Sequence, residues 1–206
     1  MLRVAVMVSG GGTNLQALLD AKDRGEIPNG EIALVLSSSP TAYALERAKK
    51  HNVKTAVVVR KDYTDKILFD QRVISVLKDN KIDLIVLAGF MYILGKEFTE
   101  AFPNRIINVH PSLIPAFCGD GFYGLKVHEA ALAYGVKVTG ATVHFVNEVC
   151  DGGQIILQKA VDVLENDTPE TLQKRVMEQA EWVILPKAVA ILCEKPGNAQ
   201  ATPNNI

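Results

Sequence analysis

Residues 106–115 read Ile-Ile-Asn-Val-His-Pro-Ser-Leu-Ile-Pro, and the fold can be inferred outward from them. The β-branched residues predict a buried strand, and the two prolines predict that it stops abruptly. Because side chains alternate along a strand, Asn108 and His110 should point to the same side at its carboxyl end. The Ile114-Pro115 bond is a candidate cis peptide in the loop that follows.

Asn108 and His110 form a pair that can carry chemistry. An amide beside an imidazole suits addition to a carbonyl group, in which negative charge develops on oxygen and protons must move. A single Asn or His at a strand end is more often a satisfied structural group. The functional interpretation therefore depends on what the neighbouring segments bring to the same place.

On the N-terminal side of this strand, short apolar runs alternate with segments whose apolar residues recur at helical spacing. Strands are predicted at residues 4–8, 32–36, 55–59 and 83–88, and helices from residue 15, at 42–50 and at 67–80. This alternation predicts right-handed crossovers and an open parallel sheet, with ligands beyond the carboxyl ends of the strands.

On the C-terminal side, the pattern changes. A helix is predicted at residues 127–134, and two strands at 138–146 and 154–163 are predicted to form an antiparallel hairpin. The predicted fold class is therefore α/β: a Rossmann-like, open and mostly parallel sheet with helices on both faces and an antiparallel hairpin near the C-terminal part.

The last helix is predicted to begin after the N-cap Thr168 and to run to about Cys193, with a kink near Pro186. Residues 194–206 have almost no apolar side chains, which predicts a disordered tail. Residues 1–193 are expected to form a single domain.

Composition argues against several classes of function. The 206 residues include 22 Lys and Arg against 23 Asp and Glu, and this net charge of -1 gives no electrostatic case for a nucleic-acid or membrane partner. The three cysteines are widely spaced, which favours a reduced, cytoplasmic protein over a disulfide framework or a zinc site. The N-terminal apolar run is too short to span a membrane and lacks a cleavage-site pattern.

A glycine-rich turn, Ser-Gly-Gly-Gly-Thr-Asn at residues 9–14, joins the first strand to the first helix. Backbone N–H groups at a helix N-terminus bind anions, so this turn predicts a phosphate site rather than a simple tight turn. The turn matches neither GxGxxG nor the P-loop pattern, which disfavours a nucleotide cofactor. A smaller phosphorylated ligand is expected.

Two further segments contribute candidates. The apolar side chains at residues 89–92 either cap the core or form a wall for a heteroaromatic ligand. Asp151 precedes two glycines and is either a turn residue or a carboxylate partner of His110. In the second case it would keep the pKa of His110 high and the ring charged.

These motifs together resemble the folate-dependent formyltransferases. The resemblance is carried by Asn-Val-His-Pro-Ser-Leu-Ile-Pro at 108–115, Gly-Ala-Thr-Val-His-Phe-Val-Asn-Glu at 140–148 and Asp-Gly-Gly at 151–153. Residues 9–17 and 87–91 resemble the branch that formylates glycinamide ribonucleotide. The likeness extends to about Leu192. It implies transfer of the formyl group of 10-formyltetrahydrofolate, the co-substrate, to the amine of glycinamide ribonucleotide in purine biosynthesis, without a metal, by a monomer or homodimer.

The resemblance also implies roles for individual residues. The catalytic residues would be Asn108, His110 and Asp151. The ribonucleotide would be bound by Gly12, Thr13, Asn14 and Glu181. The folate would be bound by Lys66, Met91, Tyr92, Ile93, Leu94, Asn147 and Glu148, together with Asn108 and Asp151. Arg is often found in this family at the positions of Lys66 and Tyr92, and the loop at 119–126 is longer than in the commonest members.

Other functions share parts of this pattern. Formyltetrahydrofolate deformylase and methionyl-tRNA formyltransferase have the same Asn, His and Asp, but the length of this chain predicts neither an N-terminal regulatory domain nor a basic C-terminal nucleic-acid-binding domain. A non-catalytic phosphosugar-binding module would need the glycine turn but not His110 or Asp151. An assay of tetrahydrofolate release from a formylated folate, with and without glycinamide ribonucleotide, separates these alternatives.

Overall fold

The structure is a computed structural model that describes residues 1–194. Its strands, in chain order, are β1 Leu2–Val8, β2 Gly30–Ser37, β3 Thr55–Val57, β4 Leu84–Leu87, β5 Ile106–His110, β6 Val138–Phe145 and β7 Ile155–Asp162. Its α-helices are α1 Thr13–Asp23, α2 Tyr43–Lys50, α3 Lys66–Asp79, α4 Lys96–Ala101, α5 Leu125–Tyr134, α6 Pro169–Val176 and α7 Trp182–Glu194. The strand predicted at 55–59 is shorter than expected.

The described residues form one seven-stranded sheet with the order β3-β2-β1-β4-β5-β6-β7. The strands β1 to β5 are parallel to one another, and β6 pairs antiparallel with both β5 and β7. This arrangement confirms the predicted α/β class, with a mostly parallel sheet and an antiparallel pair near the C-terminal part.

Alternation along the buried strands creates a core on each face of the sheet. In β1, Val4, Val6 and Val8 pack against apolar residues of α1, α6 and α7. Ala5 and Met7 point to the opposite face, which is covered by α3 and α4. Because helices cover both faces of the parallel strands, the strand residues on both faces are apolar. The polar side chains lie where the strands end.

The C-terminal helical region differs from the prediction. Instead of one helix kinked near Pro186, a π-helical turn at Met177–Glu181 separates α6 from α7, and Pro186 lies within α7. A π-helical turn has no hydrophobic period that sequence reasoning can detect. Helix α7 includes Glu194, the first residue of the predicted tail, and residues 195–206 lie outside the described residues.

The start of α6 and the loop after β5 have the local features that the sequence pattern indicates. The side chain of Thr168 caps α6 by accepting from the N–H of Thr171, as the N-cap prediction requires. The peptide bond between Ile114 and Pro115 is cis. No helix within residues 1–194 combines the length and the apolar character needed to cross a membrane.

His128 of α5 is a buried polar residue that should make stability depend on pH. Its side chain is fully buried, and neither ring nitrogen has a hydrogen-bond partner within residues 1–194. Burial, assisted by the charge of His110, lowers the pKa of His128 to about 4. In the unfolded chain the pKa of His128 is about 6.5, so at pH values between this pKa and the folded one the unfolded chain binds a proton that the folded protein does not. The free energy of unfolding therefore decreases as the pH falls through this range.

We therefore expect His128→Leu to stabilise the fold more at pH 5 than at pH 8. The part that depends on pH should be about 2 kcal/mol, because the unfolded wild type is protonated at pH 5 while the folded ring is neutral. Urea unfolding of both proteins at the two pH values measures the difference. An equal change in unfolding free energy at pH 5 and pH 8 would contradict this expectation.

Candidate active site

Three loops meet at the carboxyl edge of the sheet. The hydroxyl of Ser9, directly after β1, accepts hydrogen bonds from the backbone N–H of Met91 at 3.0 Å and from the hydroxyl of Ser38 at 2.7 Å. Ser9 therefore joins the segments that follow β1, β2 and β4. The next strand in the sheet is β5, which carries Asn108 and His110 to the same edge.

Pairing between β5 and β6 places four polar side chains on one face. Asn108 lies opposite His144, and His110 lies opposite Thr142. The amide nitrogen of Asn108 is 3.3 Å from Nε2 of His144. The shared face of Asn108 and His110 follows from strand alternation, and the antiparallel register adds the β6 residues to it.

Asp151 reaches this cluster from the turn between β6 and β7. Its φ of 54° lies in the left-handed region, which Asp tolerates better than most residues. A Cβ at Gly153 would overlap the backbone of Phe145, so glycine is required where this turn packs against the end of β6. The turn brings the Asp151 carboxylate within 3.5 Å of His110 Nδ1 and 3.6 Å of His144 Nε2.

The loop after β5 contacts the same groups. The backbone N–H of Gly119 donates to Asp151 Oδ2 at 2.9 Å. Nε2 of His110 lies 2.9 Å from the carbonyl oxygen of Phe117, and this nitrogen must carry the proton because a carbonyl only accepts. Nδ1 of His110 is therefore the nitrogen that faces Asp151.

Burial decides the charge of His110. The ring is only 4% exposed, and this burial lowers its pKa more than the Phe117 hydrogen bond and the charge of Asp151 raise it. In the free protein this burial outweighs the expected effect of Asp151 on the pKa of His110, because the cost of desolvating the imidazolium is larger. His110 is neutral at neutral pH, with Nδ1 able to accept a proton.

Asp151 itself is ionised. Burial acts to raise its pKa, but His144, whose Nε2 lies 3.6 Å away, the Gly119 N–H and the positive charge that His110 carries when protonated together hold the pKa below its ordinary value. His144 also donates from Nδ1 to the carbonyl of Phe145 at 2.8 Å, which leaves its Nε2 facing Asn108 and Asp151. The site thus combines an ionised carboxylate, a neutral imidazole and an amide donor.

His144 was not assigned a role from the sequence. Its alternation with Thr142 was visible, but the register that places it opposite Asn108 depends on strand pairing and not on local sequence. The contacts of Phe117 with His110 and of Gly119 with Asp151 could not be predicted from the sequence either, because both are made by backbone atoms of a loop.

The glycine turn is open towards a ligand. Gly12 is the N-cap of α1 with a φ of 73°, and no side chain caps the helix. A Cβ at Gly12 would lie 2.6 Å from the Cβ of Ala44, so the close packing of α2 against the turn requires glycine. The first N–H groups of α1 are consequently free of a side-chain cap, as in helix termini that bind anions.

Asn14 and Glu181 are brought together from distant parts of the chain. The Asn14 amide donates to Glu181 Oε2 at 2.6 Å, and Glu181 lies in the π-helical turn with only 7% of its surface exposed. Burial raises the pKa of Glu181, and the hydrogen bond from Asn14 acts in the opposite direction. A buried carboxyl group therefore borders the glycine turn.

The predicted folate residues lie around the loop between β4 and α4. Met91 and Ile93 are 56% and 65% exposed, and the ring of Tyr92 packs 5.7 Å from that of Phe69. The charge of Lys66 acts on Asp70, whose carboxylate accepts from the N–H of Gly95 at 2.8 Å. Lys66 is therefore near the residue that follows Leu94.

Asn147 and Glu148 approach the same loop from the turn after β6. Asn147 accepts from the N–H of Val149 at 2.9 Å, and Glu148 lies 3.8 Å from Lys96 at the start of α4. The apolar side chains of the β4–α4 loop and the polar turn after β6 thus border one surface beside the Asn108 cluster.

Known proteins of one family are similar to this chain over most of its length. The profile of a family described as formyl transferase matches residues 2–189. The phosphoribosylglycinamide formyltransferase of Haemophilus influenzae is 41% identical over 189 residues, which cover 92% of this chain and 86% of that protein. The human trifunctional purine biosynthetic protein adenosine-3 is 43% identical over 190 residues, which cover 92% of this chain and 18% of that protein.

Solved structures show the same similarity. Glycinamide ribonucleotide transformylase 1 from Symbiobacterium toebii is 44% identical with a TM-score of 0.88, and the match covers 94% of this chain and 88% of that one. Phosphoribosylglycinamide formyltransferase from Bacillus halodurans is 39% identical with a TM-score of 0.87, covering 95% and 97%. With the family profile matched over nearly its whole described length and with relatives this similar, the chain belongs to the formyl transferase family.

Proposed function

We propose that this protein transfers the formyl group of 10-formyltetrahydrofolate to the amine of glycinamide ribonucleotide. The products are formylglycinamide ribonucleotide and tetrahydrofolate, a step of purine biosynthesis. The observation that carries the proposal is the cluster of Asn108, His110 and Asp151 beside the open glycine turn. The names of the similar proteins, which include phosphoribosylglycinamide formyltransferases, support the same substrates.

Asn108 would stabilise the charge that develops on the formyl oxygen. Attack of the amine forms a carbon–nitrogen bond and moves the carbonyl electron pair onto oxygen. The Asn108 amide can donate to this oxygen, and such donors typically contribute about 2.7 to 4 kcal/mol.

His110 and Asp151 would move the proton. The attacking amine must lose a proton, and the folate nitrogen must gain one when its bond to the formyl carbon breaks. Neutral His110 can accept a proton at Nδ1, where the ionised Asp151 at 3.5 Å stabilises the imidazolium that results. Returning this proton to the folate nitrogen completes the transfer without a covalent enzyme intermediate.

The two substrates would bind on opposite sides of this cluster. The phosphate of the ribonucleotide would bind at Gly12, Thr13 and Asn14, with Glu181 accepting a hydrogen bond from another part of that substrate. The folate would lie against the apolar loop at 91–94, with Lys66 near its anionic end and the turn at 147–148 near its ring.

Several broader predictions accompany this function. We propose a single domain over residues 1–193, a cytoplasmic location, no nucleic-acid or membrane partner, and a monomer or homodimer. Cys118, Cys150 and Cys193 are free thiols, which supports a reducing compartment. The net charge of -1 supports small-molecule substrates over a polyanionic partner.

An absorbance assay of tetrahydrofolate release tests the proposed function. Purified protein is incubated with 10-formyltetrahydrofolate in the presence and in the absence of glycinamide ribonucleotide. Release that requires the ribonucleotide is the expected result. Release with water alone would indicate a deformylase-like hydrolase, and no release under either condition would indicate a phosphosugar-binding module, so both outcomes contradict the proposal.

A further inference from the structure

We infer that Arg47 is a positioning residue for phosphate binding, which acts by fixing the orientation of the Gly11–Gly12 peptide. Arg47 lies on α2 and is outside the set of residues assigned above. The inference deepens the proposed function, because the phosphate it concerns is that of the ribonucleotide.

The carbonyl groups of the three glycines in the turn are all held by hydrogen bonds. Those of residues 10–12 accept, in chain order, from the N–H of Ala44 at 3.1 Å, from Nε of Arg47 at 2.9 Å and from the N–H of Gln16 at 2.9 Å. In a trans peptide the N–H points opposite to the carbonyl. The N–H groups of residues 11–13 are therefore turned the other way, towards the open side of the turn.

Of these three donors, Arg47 alone is a side chain. The two backbone donors are fixed by the helices to which they belong, but the Gly11 carbonyl depends on a side chain. Because Gly11 and Gly12 both lack a Cβ, rotation of the peptide unit between them costs little free energy. Without Arg47, the Gly11 carbonyl can turn towards the ligand, where its partial negative charge would repel a phosphate.

Arg47 is itself held in place by its surroundings. Nη1 donates to Oε1 of Gln16 at 3.0 Å, and the guanidinium lies over the ring of Tyr43 at 5.1 Å from the centroid. Within residues 1–194, no carboxylate lies at ion-pair distance from Arg47. Its positive charge is therefore not neutralised locally and adds to the attraction of the turn for an anion.

Arg24 provides a matched control for this role. Arg24, Arg47 and Thr13 line one surface depression of about 260 Å³. Arg24 pairs with Glu26 at 2.6 Å and, within residues 1–194, donates no hydrogen bond to a carbonyl group of the glycine turn. Replacing Arg24 removes the same charge from the same depression without releasing a carbonyl group of the turn.

The test uses Arg47→Met, Arg47→Lys and Arg24→Met in the full chain. We expect Arg47→Met to raise KM for glycinamide ribonucleotide by about tenfold or more, the size of a lost charge-assisted hydrogen bond. The kcat and the KM for the folate should change by less than about twofold, because the Asn108 cluster is untouched. Lys can still donate to the Gly11 carbonyl and should restore most of the ribonucleotide affinity, and Arg24→Met should resemble the wild type.

Inorganic phosphate gives a readout that does not depend on the reaction. We expect phosphate to raise the melting temperature of the wild type and of Arg24→Met, and to raise that of Arg47→Met much less. Unchanged phosphate protection together with unchanged KM in Arg47→Met would overturn the inference. So would a loss of kcat at constant KM. Absence of tetrahydrofolate release would instead contradict the proposed function and leave the phosphate result to decide the role of Arg47.

Discussion

His110→Ala is expected to lower the rate of formyl transfer by about a thousandfold while ribonucleotide binding is retained. The variant loses the group that accepts the amine proton at Nδ1. The glycine turn that would hold the phosphate is formed by other elements and should be unaffected. Steady-state turnover and calorimetric titration with the ribonucleotide measure the two properties separately.

His51 supplies the control for this substitution. It is also a histidine beside a carboxylate, with Nδ1 at 3.1 Å from Asp23, but it lies at the end of α2 and not in the candidate site. His51→Ala should retain turnover near the wild-type value. If His110→Ala keeps its turnover but loses ribonucleotide binding, the site has been placed wrongly.

Asp151→Asn is expected to reduce turnover by about a hundredfold or more while the fold is kept. Asn tolerates the left-handed conformation at this position and can still accept from the N–H of Gly119. What it removes is the negative charge that stabilises protonated His110. Asp23→Asn removes a carboxylate beside a surface histidine and is the matched control.

The pH dependence of Asp151→Asn gives a second measure of the same contact. Transfer requires neutral His110, so wild-type activity should fall as the pH drops through the lowered pKa of His110. The charge of Asp151 raises this pKa, so its removal lowers the pKa further and should move the acidic limb of the activity profile to lower pH. A limb that stays in place or moves to higher pH would contradict the pairing.

A double variant tests whether the two residues act as a unit. If His110 and Asp151 serve one proton transfer, His110→Ala combined with Asp151→Asn should be little slower than His110→Ala alone. Losses that multiply would mean that the two side chains act in separate steps.

Strand alternation made part of the site predictable. It gave the shared face of Asn108 and His110 correctly, and the strand and helix pattern around them gave the α/β class. The glycine turn could also be placed at the same edge, because the carboxyl ends of parallel strands meet there. These features depend on local sequence and on topology alone.

Other features depend on contacts between distant segments. His144 enters the site through the β5–β6 register, and Glu181 through a π-helical turn that has no sequence period. The effect of Asp151 on His110 could be inferred from the motif, but the burial of the ring, which lowers its pKa, could not. The orientation of the Gly11 carbonyl depends likewise on Arg47, which is 36 residues away along the chain.

The fate of the formyl carbon distinguishes transfer to the ribonucleotide from hydrolysis and from binding without reaction. 10-Formyltetrahydrofolate carrying an isotopic label on the formyl carbon is mixed with the protein and glycinamide ribonucleotide, and the products are separated after a single turnover. We expect the label to appear on the nitrogen of the ribonucleotide and His110→Ala to slow its appearance. Label recovered as free formate, or label left on the folate by the wild type, would contradict it.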